Sequence, residues 1–179
     1  SQWQPGEVLF DHAVFQAKLA MRTSALTAIL WHQGESDCLA PEQLEAYPEQ
    51  FLRTMRAFRE ELGDLPIVVG ELGYPENGFH GTPAERLKEF NHRLPELAAQ
   101  LPKCAVVSAA DLTARPDGLH FTTESLRTLG LRYLEAYKNN ELYPDDIYWY
   151  PVSMQYGEYT AEPARETSIA GPIVDGEKQ

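Results

Sequence analysis

Residues 26–37 read LTAILWHQGESD. The first six residues of this stretch are mostly apolar and are bounded by polar ones, a pattern typical of a buried strand. The next six place an amide, a glycine and two carboxylates in the turn that leaves the strand. The stretch therefore predicts a buried strand that ends in a turn rich in reactive side chains.

The units on either side of this stretch combine helices and strands in the same way. Apolar residues at helical spacing predict four helices, and two more short apolar runs predict strands. Strands that alternate with helices predict an α/β fold with a parallel sheet and helices on both faces. The predicted strands are residues 26–31, 65–70 and 104–109, and the predicted helices are residues 8–22, 41–62, 83–100 and 122–137.

Two prolines fall inside predicted helices. Pro48 and Pro95 each lack the backbone N–H that a helix interior uses, so we expect a kink or a break at both positions. At the start of the last helix, Thr122 or Thr123 is placed to cap the free N–H groups.

The ligand site of such a sheet is expected beyond the carboxyl ends of its strands. Three segments leave the predicted strands at that edge: residues 31–37, 71–81 and 111–120. The first and third also contain the most reactive side chains of the chain, which makes this edge the predicted site.

The first of these segments has the composition of an oxyanion-binding turn. Gln33 can donate an N–H to a developing oxyanion, and Gly34 permits close backbone approach. Glu35 could orient a histidine or bind a substrate hydroxyl. The alternative is a polar turn in which Ser36 or Asp37 caps the following helix.

The third segment contains Asp117-Gly118-Leu119-His120. An aspartate three residues before a histidine can hold one imidazole nitrogen while the other faces a nucleophile. The alternative is an Asp-Gly turn followed by a partly buried histidine, since this spacing is common by itself.

Taken together, the two segments resemble the sialate O-acetylesterase / carbohydrate esterase family 6 branch of the SGNH hydrolases. The resemblance rests on the Trp-His-Gln-Gly-Glu-Ser-Asp stretch, the Asp-Gly-x-His stretch and a Val-Val-Gly-x-Leu-Gly segment at residues 68–73, and it runs from about residue 3 to residue 137. It implies a flavodoxin-like, three-layer α/β/α sandwich with a parallel sheet.

The resemblance also implies roles for individual residues. His120 would act as general base and then acid, and Asp117 would orient it. Glu35 competes with Asp117 for the place of third triad member. The implied oxyanion and substrate-binding residues are Gln33, Gly34 and His32.

The nucleophile of that family is absent from this sequence. It lies in a Gly-Gln-Ser-Asn block after the first strand, and these 179 residues contain no such block. Ser108 and Cys38 are weak substitutes. We therefore expect a partial domain that lacks its first strands, with an open apolar sheet edge that pairs with a missing N-terminal segment or with another chain.

Composition narrows the range of partners. With 27 acidic and 15 basic residues the formal net charge is −12, and no basic cluster is present, so nucleic acid is not an expected partner. No apolar run approaches the roughly 20 residues of a membrane helix. Cys38 and Cys104 lack metal-ligand spacing, and neither a metal nor a cofactor is predicted. No signal-peptide pattern is visible, which leaves a cytoplasmic or a secreted location open.

The predicted organisation is a partial esterase domain at residues 1–138 and an acidic, aromatic-rich tail at residues 139–179. The favoured function is hydrolysis of acetyl esters on sugars, such as sialic acid or xylan, through an acyl-enzyme whose serine lies upstream. The alternatives are a catalytically incomplete carbohydrate-binding or scaffold protein, and an interaction protein whose tail binds the partner.

Overall fold

The computed structural model describes residues 2–73, 78 and 81–139. Helices and strands alternate along this part of the chain, as the sequence predicts. The helices are α1 (Val8–Ala20), α2 (Pro41–Leu62), α3 (Ala84–Ala98) and α4 (Thr123–Asn139), the strands are β1 (Ile29–Trp31), β2 (Ile67–Gly70) and β3 (Cys104–Val107), and a short 3-10 helix spans Glu35–Cys38.

The strands form a parallel sheet in the order β1-β2-β3. Ile29 lies beside Ile67 in the register of the first pair, and Ile67 lies beside Cys104 in the second. All four residues of the central strand β2 are buried, as expected for a strand covered on both faces. The predicted α/β class with a parallel sheet is confirmed.

The two faces of the sheet belong to two apolar layers. Ile67 and Val69 of β2 pack into the larger cluster with α1, α2 and α3, whereas Val68 points to the opposite face and packs with α4. This alternation follows from the two-residue period of a strand. It produces the three layers of helix, sheet and helix that the sequence predicts.

The expected breaks at the prolines do not occur. Helix α2 runs through Pro48, and α3 runs through Pro95 to Ala98. Pro48 leaves the carbonyl of Leu44 without its helical donor. The guanidinium of Arg93 on α3 donates to that oxygen at 3.2 Å and replaces the lost bond. Pro95 lies in the last turn of α3, where only one helical bond is affected.

The start of α4 is capped as predicted. The backbone N–H of Ser125 donates to the Thr122 hydroxyl oxygen at 3.2 Å, and the Thr122 hydroxyl in turn donates to the Ser125 side chain at 3.0 Å. At its other end α4 includes Asn139, and residues 140–179 of the predicted tail lie outside the described residues.

Strand β1 forms one edge of the sheet within the described part of the chain. Leu30 sits beside the fully buried Val68 on the α4 face, yet its side chain is 62% exposed. The backbone of β1 has a paired side toward β2 and a second side that faces away from the sheet.

No described helix is long and apolar enough to cross a bilayer.

Candidate active site

The segments that leave the three strands meet at one edge of the sheet, because all three strands are parallel. The first segment carries residues 32–37 after β1, the second begins at Glu71 after β2, and the third contains residues 108–122 after β3. Residues 74–77, 79 and 80 of the second segment lie outside the described residues.

The loop that carries Asp117 and His120 is closed by its own backbone. Ala114 and Phe121 form an antiparallel bridge, and the N–H of Arg115 donates to the carbonyl of His120 at 2.6 Å. Gly118 turns the chain at φ +71°, a conformation that favours glycine. The Asp-Gly turn of the sequence is therefore the tip of a tight, closed loop.

Asp117 holds this loop through both of its carboxylate oxygens. Oδ1 accepts the N–H groups of Leu119 and His120 at 2.9 and 3.0 Å, and Oδ2 lies 3.0 Å from His120 Nδ1. These bonds, first of all the one to the imidazole, hold the pKa of the Asp117 carboxyl well below its usual range. The His120 side chain is 67% exposed, so Nε2 is available to a reacting group.

The turn after β1 depends on Gly34. Its φ is +149°, and a Cβ built there would lie 2.1 Å from Cζ of Phe90 on α3. Only glycine satisfies both the backbone conformation and the contact with the ring. The chain then enters the short 3-10 helix, in which the N–H of Asp37 donates to the carbonyl of Gly34 at 2.9 Å.

Gln33 and Asp37 form a hydrogen-bonded pair in this turn. Gln33 Nε2 donates to Asp37 Oδ2 at 2.6 Å. The Asp37 side chain is buried, and burial raises the pKa of its carboxyl while the bond from Gln33 lowers it in part. Asp37 does not act as a simple helix cap here; it contacts the predicted oxyanion residue.

Glu35 and His32 form a looser pair. Glu35 Oε2 accepts the N–H of Gly34 at 3.1 Å, and Glu35 Oε1 lies 3.9 Å from His32 Nε2. The distance to His32 is longer than a direct hydrogen bond. Partial burial lowers the pKa of His32, and the nearby Glu35 charge partly offsets that effect.

His32 packs against Gly70, Tyr133 and Phe121, none of which belongs to the site that the sequence predicts. A Cβ at Gly70 would lie 2.6 Å from His32 Nδ1 and 2.1 Å from Tyr133 Oη, so both side chains pack directly against the end of β2. The ring of Phe121 lies 5.8 Å from the His32 ring. The two predicted motifs are thus joined through Phe121.

A weak sequence signal points to these residues in retrospect. Gly70 ends an otherwise β-branched strand at the ligand edge, where a glycine indicates close approach by another group. Phe121 directly follows His120. A Cβ at Gly73 would lie 3.0 Å from the Phe121 ring, so the second glycine of the Val-Val-Gly-x-Leu-Gly segment makes room for the loop of His120.

The profile of a family described as carbohydrate esterase, sialic acid-specific acetylesterase, matches residues 1–139, which is most of the chain. The chain belongs to this family.

The carbohydrate esterase family includes relatives that have been named and solved. A protein of Arabidopsis thaliana named as a probable carbohydrate esterase is 28% identical over 142 residues, which cover 78% of this chain and 51% of that protein. An Arabidopsis thaliana protein whose X-ray structure was solved at 1.6 Å resolution matches with a TM-score of 0.64 at 26% identity, over 78% of this chain and 56% of that one. This chain therefore spans about half the length of the relatives it matches.

Ser108, Ser24 and Cys38 are described residues whose hydroxyl or thiol groups could in principle act as the nucleophile. Ser108 Oγ donates to Glu71 at 2.8 Å, and Ser24 Oγ donates to the carbonyl of Ala20 at 2.8 Å. Cys38 is fully buried, and burial raises the pKa of its thiol to about 12, which opposes a thiolate. Within the described residues, no hydrogen bond joins His120 to a serine or a cysteine.

A cavity that includes Gln33 and Glu35 lies between the N-terminal segment and α2. It has a volume of about 520 Å³ and is lined by amide, carboxylate and aromatic groups, among them Gln33, Glu35, Gln43 and Trp3. Such groups are suited to the hydroxyls and the ring faces of a sugar. Among the described residues no cluster of three or more His, Cys, Asp or Glu side chains has metal-binding geometry.

Proposed function

We propose that the protein hydrolyses acetyl esters on carbohydrates by a serine acyl-enzyme mechanism, with the nucleophile supplied from outside residues 1–179. His120 takes the proton of the attacking serine as the acetyl group passes to the serine oxygen, and returns this proton to the oxygen of the leaving sugar. Water, activated by the same histidine, then releases acetate from the acyl-enzyme. Asp117 holds His120 in the tautomer that keeps the proton on Nδ1. Gln33 donates to the oxyanion of the tetrahedral intermediate.

One observation carries this proposal: the 3.0 Å contact between Asp117 Oδ2 and His120 Nδ1 in a loop at the ligand edge. The other oxygen of Asp117 is already bound to two backbone N–H groups, so the carboxylate cannot rotate away. This arrangement supports Asp117 as the orienting carboxylate. Glu35 remains the competing candidate, and its carboxylate lies 3.9 Å from Nε2 of His32.

The nucleophile is proposed to arrive on a segment that pairs along the free side of β1. The exposed Leu30 would then be covered, and the new strand would end beside His32 and Gln33.

If residues 1–179 alone self-associate along this edge, size-exclusion chromatography should show oligomers that Leu30→Lys reduces. Leu126→Lys, at an exposed position on α4, provides a control that should not reduce them.

The test of the mechanism is acetate release from p-nitrophenyl acetate, acetylated xylan and O-acetylated sialic acid by the full-length protein. Relative to the unsubstituted protein, His120→Ala should lower kcat/KM on the order of 10³-fold through loss of the general base, and Asp117→Asn should also lower kcat/KM. His12→Ala, an exposed histidine on α1, is the matched control. Full turnover by His120→Ala would contradict the mechanism.

A second candidate is a carbohydrate-binding protein that does not turn its ligand over. The polar cavity that contains Trp3 and several amides favours it. Calorimetric binding of acetylated sugars by the full-length protein, together with no acetate release, would support binding over catalysis.

A further inference from the structure

Asp37 is held in place by its position in the 3-10 helix, by a backbone hydrogen bond and by burial. It lies in the 3-10 helix, and its own N–H donates to the carbonyl of Gly34. The residue as a whole is only 9% exposed. The end of this turn is tied to α3, because Arg86 Nη1 donates to the carbonyls of Cys38 and Leu39 at 3.0 and 2.7 Å. The carboxylate therefore has a fixed position.

The contact of this carboxylate with Gln33 has a chemical direction. A side-chain amide can turn either its nitrogen or its oxygen toward a neighbour, and the two choices differ little in shape. An ionised carboxylate only accepts hydrogen bonds, so it selects the nitrogen. The 2.6 Å bond from Gln33 Nε2 to Asp37 Oδ2 is the result of this selection.

The orientation of Gln33 decides what it offers to a ligand. The amide nitrogen has two hydrogens, and one of them is used by Asp37. The second hydrogen stays available on the same fixed nitrogen, and Gln33 lines the 520 Å³ cavity. If the amide rotated by 180°, its oxygen would replace the nitrogen and would repel an oxyanion.

We propose that Asp37 is a positioning residue that keeps the Gln33 amide nitrogen, and not its oxygen, in place for the oxyanion. Asp37 acts through Gln33 and need not touch the substrate. This inference rests on the proposed function, in which the Gln33 amide stabilises the tetrahedral intermediate.

The test is a double-mutant cycle in the full-length protein. Asp37→Asn keeps the shape of the side chain but lets either end of the Gln33 amide face it. We expect kcat to fall on the order of tenfold with little change in KM, which is less than the 10²–10³-fold typical for loss of an oxyanion donor. In a Gln33→Ala background, Asp37→Asn should cause no further fall. Asp11→Asn, at an exposed aspartate of α1, is the control and should leave kcat unchanged.

A second measurement reports on the amide directly. In ¹H–¹⁵N spectra, the side-chain amide signals of Gln33, assigned by their loss in Gln33→Ala, should shift in Asp37→Asn and not in Asp11→Asn. Thermal unfolding shows whether Asp37→Asn is folded. If it unfolds early, the spectra are recorded below its transition.

The outcomes separate the two ideas. An equal fall in kcat with and without Gln33, or Gln33 signals that do not move in Asp37→Asn, overturns the positioning role while loss of turnover in His120→Ala still supports the esterase mechanism. Full turnover in His120→Ala overturns the proposed function itself. Coupled effects on kcat together with shifted Gln33 signals support the positioning role.

Discussion

The hydroxyl of Tyr133 donates a hydrogen bond to the carbonyl oxygen of Trp31 at 2.8 Å, across 102 residues of sequence. Trp31 is the last residue of β1, and His32 follows it into the predicted site. Tyr133 lies on α4, whose first turn follows the loop of His120. This bond therefore ties the two segments of the site to each other at their bases.

Removal of the Tyr133 hydroxyl should weaken the fold without creating a large cavity. Tyr133→Phe leaves the buried carbonyl of Trp31 without this donor, and we expect a loss of about 1–2 kcal/mol in the free energy of unfolding. Urea denaturation followed by fluorescence measures it. An unchanged free energy of unfolding would contradict the importance of this bond.

Gly70 should tolerate no side chain. Gly70→Ala would place a Cβ 2.1 Å from Tyr133 Oη and 2.6 Å from His32 Nδ1, so we expect a loss of about 1–3 kcal/mol and a displaced His32. Gly130→Ala is a control with the opposite sign. It lies in α4 with nothing within 4 Å, and alanine should stabilise the helix there by about 0.5–1 kcal/mol. Equal effects of the two substitutions on the unfolding free energy would refute this account.

His32 should make stability depend on pH. Burial lowers its pKa in the folded protein below the usual 6.5, so the unfolded chain binds a proton more readily. This penalty is absent well above pH 6.5 and grows as the pH falls from 6.5 toward the folded-state pKa. Melting temperatures between pH 7.5 and 5 should therefore fall less in His32→Gln than in the unsubstituted protein. His12→Gln should follow the unsubstituted protein, and a curve for His32→Gln that matches it as well would count against the prediction.

Arg93 should contribute more to stability when Pro48 is present than when it is replaced, because only its ion pairs with Glu45 and Glu89 are independent of Pro48. Arg93→Met removes the donor to the Leu44 carbonyl, and we expect a loss of about 1–2 kcal/mol. Pro48→Ala restores a backbone N–H that can bond the same oxygen. In a Pro48→Ala background, Arg93→Met should cost measurably less in the free energy of unfolding. Equal costs in both backgrounds would show that the guanidinium does not replace the helical bond.

Sequence patterns were sufficient for the class of fold, and they brought the three segments of the predicted site to one edge of the parallel sheet. Val68 and its neighbours form a short apolar run that is rich in β-branched residues, which is typical of a buried strand. Helix α2 continues through Pro48 without the break that the sequence allows, and Arg93, which lies 45 positions away in sequence on another helix, donates to the carbonyl that Pro48 leaves without its helical donor. A rule that predicts helix breaks from the residues around a proline does not include a donor from a distant part of the chain.

In the predicted site, too, some contacts follow from sequence spacing and others do not. The spacing of Asp117 and His120 places them in contact, because a tight turn brings residues three apart together. The bond between Gln33 and Asp37 and the seating of His32 on Gly70 depend on distances between elements, which spacing alone does not contain.

The loop of Asp117 and His120 is self-contained. Both oxygens of the carboxylate are engaged within four residues, and the backbone closes the loop between residues 114 and 121. The hydrogen bonds between the aspartate and the histidine are therefore contained in one short peptide, whose ends are held by the bridge between residues 114 and 121 and by the packing of Phe121. Protein engineers could transplant such a cassette into an unrelated scaffold that offers an antiparallel bridge, and supply the nucleophile separately.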